Sequence, residues 1–204
     1  MAEESGERGR SAERTRERIL EAAVAEFAAK GYSGARTAGI AARAGVNQQL
    51  ISYYFGGKQG LLSELRRRWQ ETEASIAAPD ATFEESVGGY LEATLDRPDW
   101  ARLVVWQALG DCPFADAEEG ERLSELQRAK MSAAVEAMRR RQRAGEISQD
   151  VDPEFALLVA HAVIFSPITM PQFVRDIFGD DPLSPAIRRR LRDQLIKLLG
   201  AAGD

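Results

Sequence analysis

The sequence predicts an all-α protein. Apolar residues recur at three- and four-residue spacing along most of the chain. Helix-starting and helix-stopping residues punctuate it at short intervals, and no stretch shows the two-residue alternation of a strand. With 204 residues it has room for one small and one medium domain, and its 44% apolar content is enough for a packed core.

The first helical stripe is Ile19, Ala23 and Phe27, with Glu17, Arg18, Glu21 and Glu26 on the other faces. Residues 1–13 are polar and charged and read as a disordered arm. Gly31 after Lys30 suits a left-handed helix stop with a cation in the last turn. Thr37 reads as the N-cap of a second helix carrying Ile40, Ala41 and Ala44. Gly45 supplies the permissive backbone for a sharp turn. Asn47 reads as the cap of a third helix, Gln48 to about Phe55, with Ile51 and Phe55 inward and Gln48, Gln49, Ser52 and Tyr53 elsewhere. Gly56-Gly57 ends it, and Lys58 opens a fourth helix striped by Leu61, Leu65 and Trp69.

Further helices follow an interruption at Pro79-Asp80. Phe83 to Leu95 is amphipathic, and Pro98 opens a short helix with Trp100, Leu103, Val104 and Trp106. After a loop from Gly110 to Ala117, a long helix runs from about Glu119 to Ala144. It places Leu123, Leu126, Met131, Ala134 and Met138 inward and stops at Gly145. Asp152-Pro153-Glu154 and Ser184-Pro185 are helix starts: a cap followed by proline in the first turn. Phe155 to Phe165 is apolar on nearly every face, and Pro167 and Pro171 read as breaks after it. The last helix carries Ile187, Leu191, Leu195 and Leu198 on one stripe, beside Arg188 to Arg190 and Arg192.

Composition narrows the function. The net charge of −5 hides an asymmetry: residues 1–70 hold 12 basic and 8 acidic side chains, net +4, and the remainder is net −9. Positive charge therefore sits where phosphate neutralisation would need it. A single histidine and a single cysteine, far apart in sequence, leave no metal constellation and no nucleophile–base pair, and no glycine-rich phosphate loop is present, so an enzyme is not expected. No cofactor is expected either. Without an 18-residue apolar run or a signal-peptide core, and with only Cys112 as a thiol, the sequence reads as a cytoplasmic protein with no membrane partner.

Two short helices joined by the tight Ala44-Gly45-Val46 turn make a helix-turn-helix, whose second helix enters the DNA major groove. Over Arg14 to Leu65 the chain resembles the DNA-binding domain of the TetR family of bacterial transcriptional regulators. The residues carrying the resemblance are Thr37, Ile40, Ala41, Ala44, Gly45, Val46, Tyr54, Phe55, Lys58 and Leu61. Two positions depart from it: Ser52 stands where the family usually has an aromatic, and Ala38 where some members have a basic residue. By resemblance and by chemistry, the expected DNA-contacting residues are Thr37, Gln48, Gln49, Leu50, Ser52, Tyr53, Tyr54 and Lys58. A glutamine amide pairs with adenine N6 and N7, and Leu50 suits a thymine methyl. Tyrosine hydroxyls, Thr37 and Lys58 suit phosphates.

The expected domains are the arm at 1–13, the helix-turn-helix domain at 14–60 and a helical effector-binding and dimerisation domain at 61–204. The resemblance implies a homodimeric repressor released from a palindromic double-stranded DNA operator by a small-molecule effector. Candidate pocket residues are Tyr90, Trp100, Trp106, Met131, Met138, His161 and Phe165, each of which more often serves as plain core. Candidate dimer residues are Phe155, Leu158, Val159, Ala162, Ile187, Leu191, Leu195 and Leu198. Packing of both stripes inside one subunit is the alternative.

Overall fold

The computed structural model describes residues 2–76, 80–111, 113–114 and 116–201; Pro79 and Cys112 lie outside the described residues. Among the described residues there are ten helices: α1 (Ala2–Gly34), α2 (Thr37–Ala44), α3 (Gln49–Phe55), α4 (Lys58–Ile76), α5 (Phe83–Asp96), α6 (Pro98–Ala108), α7 (Ala117–Arg143), α8 (Pro153–Thr169), α9 (Pro171–Phe178) and α10 (Pro185–Leu199). The extended pairing they show is an isolated antiparallel bridge between Ile147 and Gly200. The chain divides into two compact units, Met1–Glu71 with Arg102–Ala115, and Thr72–Ala101 with Asp116–Asp204.

In the first unit α1 begins at Ala2, not near Arg14, so the segment read as a disordered arm is helical. Alanine, glutamate and arginine are common in it and are strong helix formers. Gly31 interrupts α1 with a left-handed φ of 66°. Ile19, Ala23, Phe27, Ile40, Ile51, Leu61, Leu62 and Leu65 are all fully buried and form one small core. Glu26 belongs to that buried stripe too, although its charge had suggested a solvated face; it is 2% exposed. Its carboxylate pairs with Lys30 Nζ at 2.6 Å. That ammonium, chiefly, holds the carboxyl below its ordinary range, with help from the Arg36 backbone N–H and the Arg43 charge.

A network of charges joins α1 to α4. Arg68 makes a two-pronged contact with Glu17 at 2.5 and 2.7 Å and also donates to Glu64 at 3.1 Å. Hydrogen bonding from Arg67, then from Arg68, lowers the Glu64 pKa from about 4.5 to about 2. Leu103 and the indole of Trp106 belong to this unit, where Trp106 Nε1 donates to the Ala28 carbonyl at 3.1 Å. The Pro113 carbonyl accepts from Gln59 Nε2 and Arg66, at 3.2 and 3.1 Å.

In the second unit α8 packs on α5, α7, α9 and α10, and α10 packs on α5. Its core is built from Phe83, Val87, Leu91, Ala156, Ala160, Ile164, Ile187, Leu191, Leu195 and Leu199. A capping box between Thr82 and Glu85 starts α5, and the Glu146 carboxylate accepts the Phe83 N–H at 2.6 Å. Asp116, Asp152 and Ser184 cap α7, α8 and α10 with side-chain oxygens. Of the residues expected inward on α7, only Met138 is buried, and Leu126 is 38% exposed. Pro167 does not break α8, which continues to Thr169. Proline cannot donate to the carbonyl four residues back, and the Ser166 hydroxyl donates to that Val163 carbonyl instead, at 2.8 Å. The turn comes at Met170, where α9 leaves α8 at 95° with Pro171 at its start.

Two outcomes check this packing. A Cβ on Gly60 would lie 1.6 Å from the Phe55 carbonyl oxygen. Gly60→Ala should therefore lower the melting temperature of the first unit, although glycine to alanine in an open helix adds about 1 kcal/mol of stability; a raised melting temperature contradicts the packing. The second outcome concerns pH. Because the folded pKa of Glu64 is depressed, its stabilisation is complete above about 4.5 and is lost as pH falls towards about 2. Urea unfolding of wild type and Glu64→Gln should differ at pH 7 and converge near pH 2.

Candidate nucleic-acid interface

Helix α3 has only seven residues, and Ile51 is its one buried side chain. Such a helix is unstable alone, since nucleating a helix is costly. Three devices fix it. First, Gly45 adopts the left-handed conformation, φ 64°, so that its N–H bonds the Ala42 carbonyl at 3.2 Å and the Val46 N–H bonds that of Ala41 at 3.0 Å. This is the Schellman pattern, which satisfies the last carbonyls of α2. Second, the Arg18 guanidinium on α1 donates to the Ala44 carbonyl, and to the Gly45 carbonyl at 3.3 Å. Third, Asn47 Oδ1 accepts the Gln49 N–H at 2.8 Å. The capping chemistry expected of Asn47 is present, but α3 begins one residue later than expected and Gln48 holds the cap position.

The start of α2 corrects the sequence reading. Thr37 is the first residue inside α2; Arg36 holds the cap position with extended backbone and no side-chain cap bond. Glu26 lies beside this end instead. A Cβ on Gly39 would be 2.7 Å from Glu26 Oε1, so glycine makes room for the carboxylate. The Thr37 hydroxyl is left to accept a hydrogen bond from Gln48 Nε2 at 2.8 Å.

These constraints leave one polar face of α3 free. Gln48, Gln49, Ser52 and Tyr53 are exposed, and Tyr53 reaches 79%. Their spacing, two adjacent pairs four residues apart, puts them on one side of the helix. Leu50 and Tyr54 are half-buried; Tyr54 meets Tyr53 edge-on, with ring centroids 5.0 Å apart. Phe55, expected inward, is half-buried beneath Arg16, whose guanidinium lies 5.2 Å from the ring centroid. Lys58 is half-buried at the first turn of α4, its ammonium 4.2 Å from the centroid of Tyr32. Tyr32 in turn donates to Gln59 Oε1 at 3.0 Å. The expected DNA residues thus all belong to the first unit, where the net charge of residues 1–70 is positive.

Sequence reasoning missed Arg18 and Glu26. A signal existed for Glu26: it falls at i+7 from Ile19, within the buried stripe, with Lys30 one turn later. Arg18 carried no local signal, because its partners are backbone carbonyls 26 and 27 residues away.

The other candidate residues divide. Tyr90, His161 and Phe165 come together in the second unit, with the His161 ring stacked on Phe165 at 6.3 Å and 6.5 Å from Tyr90. Met138 is buried, and Trp100 and Met131 are half-buried. Trp106 belongs to the first unit, bonded to α1, and not to that aromatic group. Phe155, Leu158, Ala162 and Leu198 are exposed and Val159 is half-buried. Ile187, Leu191 and Leu195 are buried inside the subunit, so the α10 stripe is core, reached by α5 and α8 of the same chain.

Comparison with known proteins gives the family. Residues 19–65 match a family model described as bacterial regulatory proteins, tetR family, and residues 79–199 match one described as tetracyclin repressor-like, C-terminal domain. The chain belongs to the TetR family. It is 30% identical over 192 residues to the HTH-type transcriptional repressor SCO4008 of Streptomyces coelicolor, covering 90% of this chain and 96% of that one. It is also 30% identical over 113 residues to the repressor NicS of Pseudomonas putida, covering 52% and 53%. Among solved structures, the transcriptional regulator SCO4942 of S. coelicolor superposes with a TM-score of 0.68 at 25% identity, over 91% of this chain and 98% of that one. FadR of Bacillus subtilis, solved in complex with stearoyl-CoA, gives 0.55 at 20% identity, over 89% and 97%. TetR-family members are transcriptional regulators, not enzymes; they bind DNA and small-molecule ligands and typically dimerise. Among the described residues no single helix is long and apolar enough to cross a membrane.

One substitution tests the phosphate side of this interface. Lys58→Ala should weaken binding to all DNA sequences alike, and reduce the slope of log affinity against log salt by about one per subunit. Fluorescence anisotropy at three or more salt concentrations measures both. An unchanged slope removes Lys58 from the interface.

Proposed function

We propose that this TetR-family regulator is a homodimeric repressor that a small-molecule effector releases from a palindromic or near-palindromic operator in the cytoplasm. The observation that carries the reading is the exposed face of α3, with Gln48, Gln49, Ser52 and Tyr53 held outward by the Gly45 turn. Gln48 and Gln49 read base edges, while Thr37, Tyr53, Tyr54 and Lys58 hold phosphates and Leu50 packs on a thymine methyl. The naming of SCO4008 and NicS as repressors supports the direction of regulation.

Two α3 helices related by a two-fold axis fit half-sites one helical turn apart. The surface we assign to the dimer is the exposed side of α8, with Phe155, Leu158, Val159 and Ala162, together with Leu198 on α10. A single exposed apolar side chain needs no explanation, but α8 exposes two large ones, Phe155 and Leu158, and α10 adds Leu198. The effector binds within the second unit, at residues drawn from Tyr90, Trp100, Met131, Met138, His161 and Phe165. The aromatic group of Tyr90, His161 and Phe165 favours an apolar or aromatic molecule. Release is a population shift: the effector binds better to a form of the dimer whose two α3 helices no longer match successive major grooves.

Leu158 is 63% exposed, so a charge there costs the isolated subunit little. Leu158→Arg should convert a dimer into a folded monomer by light scattering, with an unchanged helical circular dichroism spectrum. Affinity for an operator recovered by in vitro selection should fall at least about 100-fold, since one half-site replaces two. A dimer that persists in this variant removes α8 from the interface, and a wild-type monomer removes the two-fold reading.

A further inference from the structure

We propose that Thr37 is a specificity-determining residue: it fixes the polarity of the Gln48 carboxamide and couples that amide to a DNA phosphate. The inference rests on the reading of α3 as the base-reading helix. The geometry is a single hydrogen bond across the helix-turn-helix, from Gln48 Nε2 at the start of α3 to Thr37 Oγ1 in the first turn of α2, 2.8 Å long. Thr37 is half-buried and Gln48 exposed, so the threonine is the more fixed partner.

A primary amide offers two N–H donors on one side and a carbonyl oxygen on the other, and rotation by half a turn exchanges them. With one N–H held by Thr37, the remaining N–H and the Oε1 atom face outward in a fixed order. That is the pattern for adenine, which presents an N7 acceptor beside an N6 donor. Guanine presents two acceptors, N7 and O6, and leaves Oε1 against another oxygen. The hydroxyl of Thr37 can accept from Gln48 and still donate its own proton. A phosphate oxygen taking that proton compels Thr37 to be the acceptor in its bond with Gln48, and so forbids the flipped amide. Phosphate contact and base choice then reinforce each other. On non-specific DNA, where the backbone is not in register, the amide is free to turn.

The test uses the full-length protein and two DNA probes. One is the operator recovered by in vitro selection with the wild type; in the other, the A·T pair contacted by Gln48 in each half-site is replaced by G·C. Wild type should prefer the first by about tenfold or more per half-site. Thr37→Val keeps the side-chain shape and loses the hydroxyl. It should lose most of that preference and weaken binding to both probes, with the salt slope unchanged because no charge is removed, and with no change in melting temperature. Thr37→Ser should restore the preference and the affinity. Gln48→Ala should abolish the preference, and adding Thr37→Val to it should remove no further preference. If Thr37→Val keeps the full preference while Gln48→Ala loses it, Thr37 does not orient the amide and this inference fails alone. If Gln48→Ala keeps the preference, the base-reading assignment of Gln48 fails and takes the inference with it.

Discussion

Everything the α3 surface can do depends on the left-handed turn at Gly45 and on the Arg18 guanidinium that grips it. A seven-residue helix with one buried side chain has too little packing of its own to hold a direction. The turn sets where α3 leaves α2, and Arg18 fastens the turn to the long α1. Ile51 then seats α3 in a core shared with Ile19, Ile40 and Leu61. The result is a short element whose inner side is pinned and whose outer side carries amides, a hydroxyl and an exposed tyrosine. Rigid presentation matters because base readout depends on donor and acceptor positions being set before contact.

The Glu26 carboxylate bears on the same interface from inside. It is buried, ionised and placed beside the first turn of α2, where partially positive amides favour an anion. Thr37 lies inside α2 and not at its cap, and its side chain meets Gln48. Lys30, half in solvent, supplies the counter-charge to Glu26. Gly39 leaves the space that a larger side chain would fill.

Much of the first unit was legible in the sequence because its signals are local. The Ile19–Phe27 stripe, the Gly31 stop, the Gly45 turn, the Asn47 amide and the Gly56-Gly57 end act within a few residues of themselves. What was illegible acts across space. Arg18 meets carbonyls more than twenty residues away, and the Thr37 hydroxyl meets a side chain eleven positions on. The α10 stripe was visible, but a stripe does not say whether its cover is the same chain or a second copy; here α5 and α8 of the same chain bury Ile187, Leu191 and Leu195. Pro167 reads as a break until Ser166 is seen to satisfy the carbonyl that proline abandons. Trp106 reads as a pocket residue until its indole is found bonded to the Ala28 carbonyl.

Where α3 lies when DNA is bound decides the proposed base-reading role. Photocrosslinking with a phenylalanine azide placed singly at positions 49, 53, 122 and 173, on a labelled operator fragment, locates it in one experiment. Base crosslinks are expected from 49, backbone-proximal crosslinks from 53, and none from 122 on α7 or 173 on α9. Crosslinks of equal yield from α7 or α9, or none from position 49, would contradict that role.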